Sequence, residues 1–160
     1  MTEEEVWRLL EEVKDPEIPV VSIVGMGIVR QVEVEGSSVR VTITPTYSGC
    51  PAMEVMEEGV RERLAQTPFD SVVVDLVHYP AWTTDWMTAE TKEKLREYGI
   101  APPERSAADA LVQIGQTPPV QCPFCGSRNT ECKSRFGSTS CKALHFCQSC
   151  RQPFEEFKVL

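Results

Sequence analysis

The strings C-P-F-C at 122–125 and C-Q-S-C at 147–150 constrain the last forty residues more tightly than any other feature of the chain. Each C-x2-C pair suits one tight turn. The 21 residues between the pairs are enough for a hairpin to bring the two turns together. Four thiolates so assembled form a tetrahedral set, which zinc accepts with Zn–S near ~2.3 Å. Pro123 and Gly126 sit where such a knuckle must bend. The spacing therefore predicts a zinc ribbon over residues 120–160, with Cys122, Cys125, Cys147 and Cys150 as ligands. The same four cysteines also suit rubredoxin-type iron or a cluster. Ordinary buried thiols or disulfides are the plainer alternative, and doubled C-x2-C spacing in a reducing compartment argues against both.

The expected compartment follows from the other end of the chain. Residues 1–17 are acidic and periodic rather than apolar, which reads against a secretory signal. No stretch approaches the ~18–20 apolar residues of a membrane span. A soluble cytoplasmic protein is expected.

Charge is uneven. Residues 1–120 carry 10 Lys and Arg against 21 Asp and Glu, and residues 121–160 carry 6 against 3. An acidic body with a mildly basic tail disfavours nucleic acid, because phosphate binding needs many cations on one face. The basic tail leaves room for a nucleic-acid-binding ribbon, or for docking on an acidic protein face.

Ahead of the ribbon the chain reads α-β-β-α-β-α. Val6, Leu9, Leu10 and Val13 give one apolar stripe over a helix at 3–13, with Thr2 as N-cap. Strands are predicted at 28–34 and 39–44, joined by the turn Glu35-Gly36-Ser37-Ser38. Pro51 opens a helix over 51–65, whose apolar positions are Met53, Val55, Met56, Val60 and Leu64. A third strand at 69–77 is apolar enough to be central, and Thr88 and Gly99 bracket a helix at 89–98. The prediction is an α+β fold: a small mixed three-stranded sheet with helices over residues 1–100, then a linker at 101–119, then the ribbon. At most one short helix, near 107–111, interrupts the linker.

Cys50 is the body's one cysteine, in S-G-C-P at a helix entrance. The unpaired N–H groups and the dipole there favour a thiolate that is reactive or metal-binding. A small buried N-cap residue explains it equally well. One thiolate cannot hold a metal alone; it needs Asp15, Glu17, an exogenous ligand or a second subunit. Asp15 and Glu17 flank Pro16 as potential ligands or acid–base groups, although an Asx-type turn with a solvated Glu17 is the blander account. Thr46 and Ser48 are potential donors in the Cys50 loop. In the tail, Cys141 is a possible extra thiol beside the metal site, on the strand entering the second knuckle, and Cys132 is a bystander. His145 shares a face with Cys147 but four cysteines suffice. His78 reads as a strand-end packing residue. Tyr79, Trp82 and Trp86 read as an aromatic cluster for core or interface packing. No nucleophile and acid–base set converges, so a self-standing enzyme is the least supported reading.

The strings D-P-E-I-P-V-V-S-I-V (15–24), P-T-Y-S-G-C-P-A (45–52) and F-G-S-T-S-C-K-A-L-H-F-C-Q-S-C-R-Q-P-F-E-E-F-K (136–158) resemble the PaaD family of the bacterial phenylacetyl-CoA epoxidase system. The body alone is similar to a wider family of iron–sulfur assembly factors. The resemblance implies a small, often dimeric, non-catalytic assembly domain. It implies zinc in the ribbon, transient iron or an iron–sulfur cluster on the body, and other components of the oxygenase and reductase system as partners. It places the family's reactive cysteine on Cys50, its D-P-E motif on Asp15, Pro16 and Glu17, and its loop threonine on Thr46. The family's acidic residue of I-V-D-L-G has no counterpart, since Gly25 and Met26 stand there. A structural or regulatory subunit that handles no cluster is the competing expectation.

Overall fold

A computed structural model describes residues 1–104, 106 and 118–160. The helix considered near 107–111 lies outside the described residues. The chain divides into two compact units, residues 1–82 with 86–91, and residues 83–85 with 92–160.

The first unit opens with α1 (Glu3–Leu10), started by a full capping box: Glu5 N–H donates to Thr2 Oγ1, and Thr2 N–H donates to Glu5 Oε2. The helix ends earlier than its apolar stripe predicts. Glu12 N–H reaches back only to Leu9 O and Val13 N–H to Leu10 O, so the last turn tightens while Val13 stays buried. β1 (Val29–Glu35) and β2 (Ser38–Ile43) form the expected antiparallel hairpin, with Gly36 at φ +60 in its turn. α2 (Ala52–Ala65) then carries the chain across to β3 (Ser71–Leu76), which lies parallel to β2. The sheet order is β1-β2-β3, so β2 is central and β3 is an edge, against the expectation from its apolar run. A parallel return by a crossover helix pairs β3 on one side only, and its outer residues Ser71 and Leu76 are exposed.

Alternation sets the core of this unit. Val39, Val41 and Ile43 of β2 are buried, whereas Arg40 faces out and pairs with Asp75 and Glu33. α1 packs against β1 and α2, and α2 against β3. Gly59 lies where a Cβ would come 3.1 Å from Val13 Cγ1, so the missing side chain permits close approach. Met53, Met56, Val60 and Leu64 of α2 point inward. Val55, counted with them from sequence, is 57% exposed because it falls about 200° around the helix from Met53. The aromatic cluster is also looser than expected. Trp82 is buried and donates Nε1–H to Met26 O, Trp86 stacks under Arg30, and Tyr79 stands in solvent. His78 is exposed rather than packed.

α3 (Ala89–Tyr98) is capped by Thr88 Oγ1 and closed by Gly99 at φ +95, and the division between units falls inside it. In the second unit β4 (Ile100–Ala101), β5 (Thr130–Ser134), β6 (Lys142–Cys147) and β7 (Pro153–Phe157) form a sheet ordered β4-β7-β6-β5. Residues 100–101, expected at the junction of body and linker, thus belong to the ribbon's sheet. Ala101, Val120, Cys122, Cys147 and Phe154 form a small buried cluster, with Cys150 packed against it.

Candidate metal centre and Cys50 loop

The two knuckles come from backbone turns that aim thiols at one point. Cys122 N–H donates to Ser127 O and Gly126 N–H to Cys122 O, with Gly126 at φ +74. The second turn repeats the device: Cys147 N–H donates to Gln152 O and Arg151 N–H to Cys147 O. Here Arg151 takes the left-handed position, φ 64, without a glycine. The Sγ atoms of Cys122, Cys125, Cys147 and Cys150 all lie within 4.8 Å of one another. Two separations are 3.7 Å, Cys122 to Cys150, and 3.6 Å, Cys125 to Cys147. A tetrahedron with Zn–S near 2.3 Å has edges of about 3.8 Å, so the donor set fits zinc in type, number and spacing. Among the described residues it is the one cluster of at least three potential ligands.

Protonation within the cluster is uneven. Backbone N–H groups of Cys150 and Ser149 pull the Cys147 thiol down to about 7. Burial pushes Cys150 up to about 12. Cys125 accepts a bond from Ser127 that lowers it, yet burial and the neighbouring Cys147 leave it raised. A cation bound by these thiols displaces their protons.

The other tail residues stay apart from the cluster. Cys141 is buried in the turn before β6, its Sγ 3.0 Å from Thr139 Oγ1, and Cys132 is exposed on β5. His145 is buried, stacked on Phe154 and 2.8 Å from Glu156 Oε2, so its role is in the sheet. A His–Glu pairing across β6 and β7 has no signature in sequence, because only the register sets it.

In the first unit the Cys50 loop spans residues 45–51, between β2 and α2. Cys50 N–H donates to Tyr47 O, and Met53 N–H to Cys50 O, both at 3.2 Å. Pro51, predicted as the first helical residue, is the N-cap instead, already helical at φ −68, so α2 starts one place later than predicted. Pro51 makes no side-chain cap, and Cys50 stands partly exposed at the entrance of this helix. Thr46 is half-buried in the same loop. Thr44, at the foot of the loop, is a residue that strand alternation alone did not single out. It is 1% exposed and its Oγ1 has no hydrogen-bond partner among the described residues, a cost of about 1–3 kcal/mol.

Asp15 is buried and its Oδ1 accepts from Glu17 N–H (2.7 Å) and Ile18 N–H (3.0 Å), which is the Asx-type turn. Glu17 is exposed. Cys50, Asp15 and Glu17 form no further ligand cluster among the described residues. The missing acid at 25–26 also has a physical reason: a Cβ on Gly25 would lie 2.3 Å from Thr91 Oγ1, and Met26 is buried. No helix among the described residues is long and apolar enough to cross a membrane.

Comparison with known proteins agrees with this division of features. Residues 3–75 match the model of the iron–sulfur cluster assembly protein family, and residues 106–158 match the PaaD zinc beta ribbon domain. The chain is 48% identical to a protein of Escherichia coli K12 named as one of the subunits of a "putative 1,2-phenylacetyl-CoA epoxidase", over 98% of this chain and 92% of that protein. It is 36% identical to a protein of Porphyromonas gingivalis named Fe-S protein maturation auxiliary factor, over 59% of this chain and 90% of the other. Among solved structures, a domain of unknown function from Bacillus anthracis superimposes with a TM-score of 0.55 at 29% identity, covering 58% of this chain and 90% of that one. A conserved hypothetical protein from Thermotoga maritima does so with a TM-score of 0.52 at 28% identity, covering 59% and 94%. An assembly-type α+β unit followed by a four-cysteine ribbon, matched over nearly its whole length, places this chain in the PaaD family of phenylacetyl-CoA epoxidase proteins.

Proposed function

We propose that this chain is a non-catalytic accessory factor that helps load iron or an iron–sulfur cluster into components of a phenylacetyl-CoA epoxidase system. The observation that carries the reading is a single chain joining a unit similar to Fe-S maturation auxiliary factors to a ribbon similar to that of an epoxidase subunit. In this reading Cys122, Cys125, Cys147 and Cys150 hold zinc and order the ribbon. Cys50 is the point of transfer: its sulfur, partly exposed at the entrance of α2, ligates the iron cargo transiently. Thr46 lines the same loop, Asp15 shapes the turn at 15–18, and exposed Glu17 is available as a further ligand. A lone thiolate leaves iron under-coordinated, so the client or a second copy in a homodimer completes the shell.

The test is Cys50→Ala. Client oxygenase and reductase components produced beside this variant are expected to be iron-poor and inactive. The variant itself should keep its circular dichroism and one zinc per chain by native mass spectrometry. Clients with full iron content would overturn the assignment. A second reading, a structural subunit of the oxygenase, is favoured by the name of the Escherichia coli relative. It predicts co-purification at fixed stoichiometry and iron-replete clients in the absence of this chain.

A further inference from the structure

The connection between β5 and β6 is short, exposed and tied down at every step. Ser134 Oγ donates to Phe136 O (2.8 Å) and accepts from Phe136 N–H (3.1 Å). Gly137 N–H donates to Lys142 O at 2.7 Å. Ser138 donates both its N–H and its hydroxyl to Glu155, and the buried Lys142 ammonium lies 3.5 Å from the same carboxylate. Burial opposes ionisation of Glu155, but Ser138 and Lys142 win and hold its carboxyl below the usual range. A Cβ on Gly137 would lie 2.5 Å from Glu155 Oε1, so a side chain there would push that carboxylate aside.

All these bonds present an aromatic ring to water. Phe136 is 69% exposed. Lys158 Nζ lies 4.9 Å from its ring centroid and donates to Arg135 O at 2.9 Å. The Arg135 side chain is exposed and has no carboxylate partner among the described residues. A ring and an ammonium are thus held side by side and uncovered, with the exposed Arg135 next in the chain, and neither cation has a carboxylate partner among the described residues. Fixing groups before association removes much of the ordering cost of binding. Aromatic residues and Arg are the types that anchor protein interfaces.

We infer that the β5–β6 connection is a docking surface for an acidic segment of a partner protein, with Phe136 as apolar anchor and Arg135 and Lys158 pairing its carboxylates. Charge complementarity selects that occupant. Nucleic acid fits the patch less well, because its affinity grows with the number of phosphates neutralised. Only two cations here lack a carboxylate partner, since Lys133 is held by Glu131 at 2.7 Å. The inference does not depend on Cys50 or on any iron chemistry.

The full zinc-loaded chain would be titrated into fluorescein-labelled peptides of about a dozen residues, Asp and Glu interspersed with Leu and Phe. Controls are the same peptides with Lys for the acids, and an oligothymidylate of equal length, all at about 0.15 M salt. The acidic peptides should bind, with amide shifts confined to residues 134–138 and 158. Arg135→Glu and Phe136→Ala should each weaken binding about tenfold. Phe136→Ala should leave the melting temperature unchanged, because the ring is exposed. Gly137→Ala keeps Arg135 and Phe136 but displaces Glu155, and should also weaken binding. Preference for the oligothymidylate, shifts elsewhere on the chain, absence of binding, or wild-type affinity in Phe136→Ala would each overturn the assignment.

Discussion

Gly27 and Gly36 both adopt positive φ, +72 and +60, in quite different surroundings. Nothing lies within 4 Å of a Cβ placed on Gly36, whereas one on Gly27 would meet Trp86 Cβ at 2.7 Å and Trp86 O at 2.8 Å. Gly36→Ala should therefore cost only the left-handed backbone penalty, about 1–2 kcal/mol. Gly27→Ala adds a collision with main chain and should cost more than twice as much, as read from urea denaturation midpoints. Equal costs would mean that the Trp86 segment yields freely. Cys50 shows where residue-level reading stops. Its position at a helix entrance follows from G-C-P, since proline suits a helix start and glycine a loop. What stands around it in space, such as the orphan Thr44 hydroxyl, depends on how a strand end and a helix start are brought together.

At the scale of elements, periodicity located α1, α2 and α3 and the three strands of the first unit, because apolar stripes and turn residues are local properties. The role of β3 was not legible. An apolar run reads alike for a central strand and for an edge strand with one covered face, and only pairing separates them. β4 and β7 of the ribbon also went unread. Ile100–Ala101 is too short to show alternation, and Pro153–Phe157 carries two glutamates. Within α2 the same limit separates Val55 from its apolar neighbours. Leu64, fully buried, should lose about 2–5 kcal/mol on substitution by Ala. Val55→Ala, at 57% exposure, should change stability by less than about 0.5 kcal/mol. Thermal or urea melts of the two variants check this, and a costly Val55→Ala would show that something covers that face of α2.

For the whole molecule, the two units rest on different sources of stability. The first buries Val, Ile, Leu and Met side chains from α1, α2, its three strands and the segment between α1 and β1. The described buried cluster of the second has five members, two of which are cysteines of the metal cluster. A ribbon whose buried cluster includes metal-ligating cysteines depends on its metal as a staple. Removing zinc with a chelator should therefore abolish amide-exchange protection over residues 118–160, while residues 1–82 keep theirs. Retained protection in the ribbon after verified metal loss would mean that its sheet and small core suffice.

The two-residue strand Ile100–Ala101 pairs in parallel with Glu155–Glu156. It covers one side of β7 that would otherwise present bare N–H and C=O groups. A fragment cut at the start of the cysteine motif would retain every thiol and still expose that side, inviting strand-to-strand association between copies. The natural excision point for this ribbon therefore lies upstream of residue 100, well before the sequence that marks it.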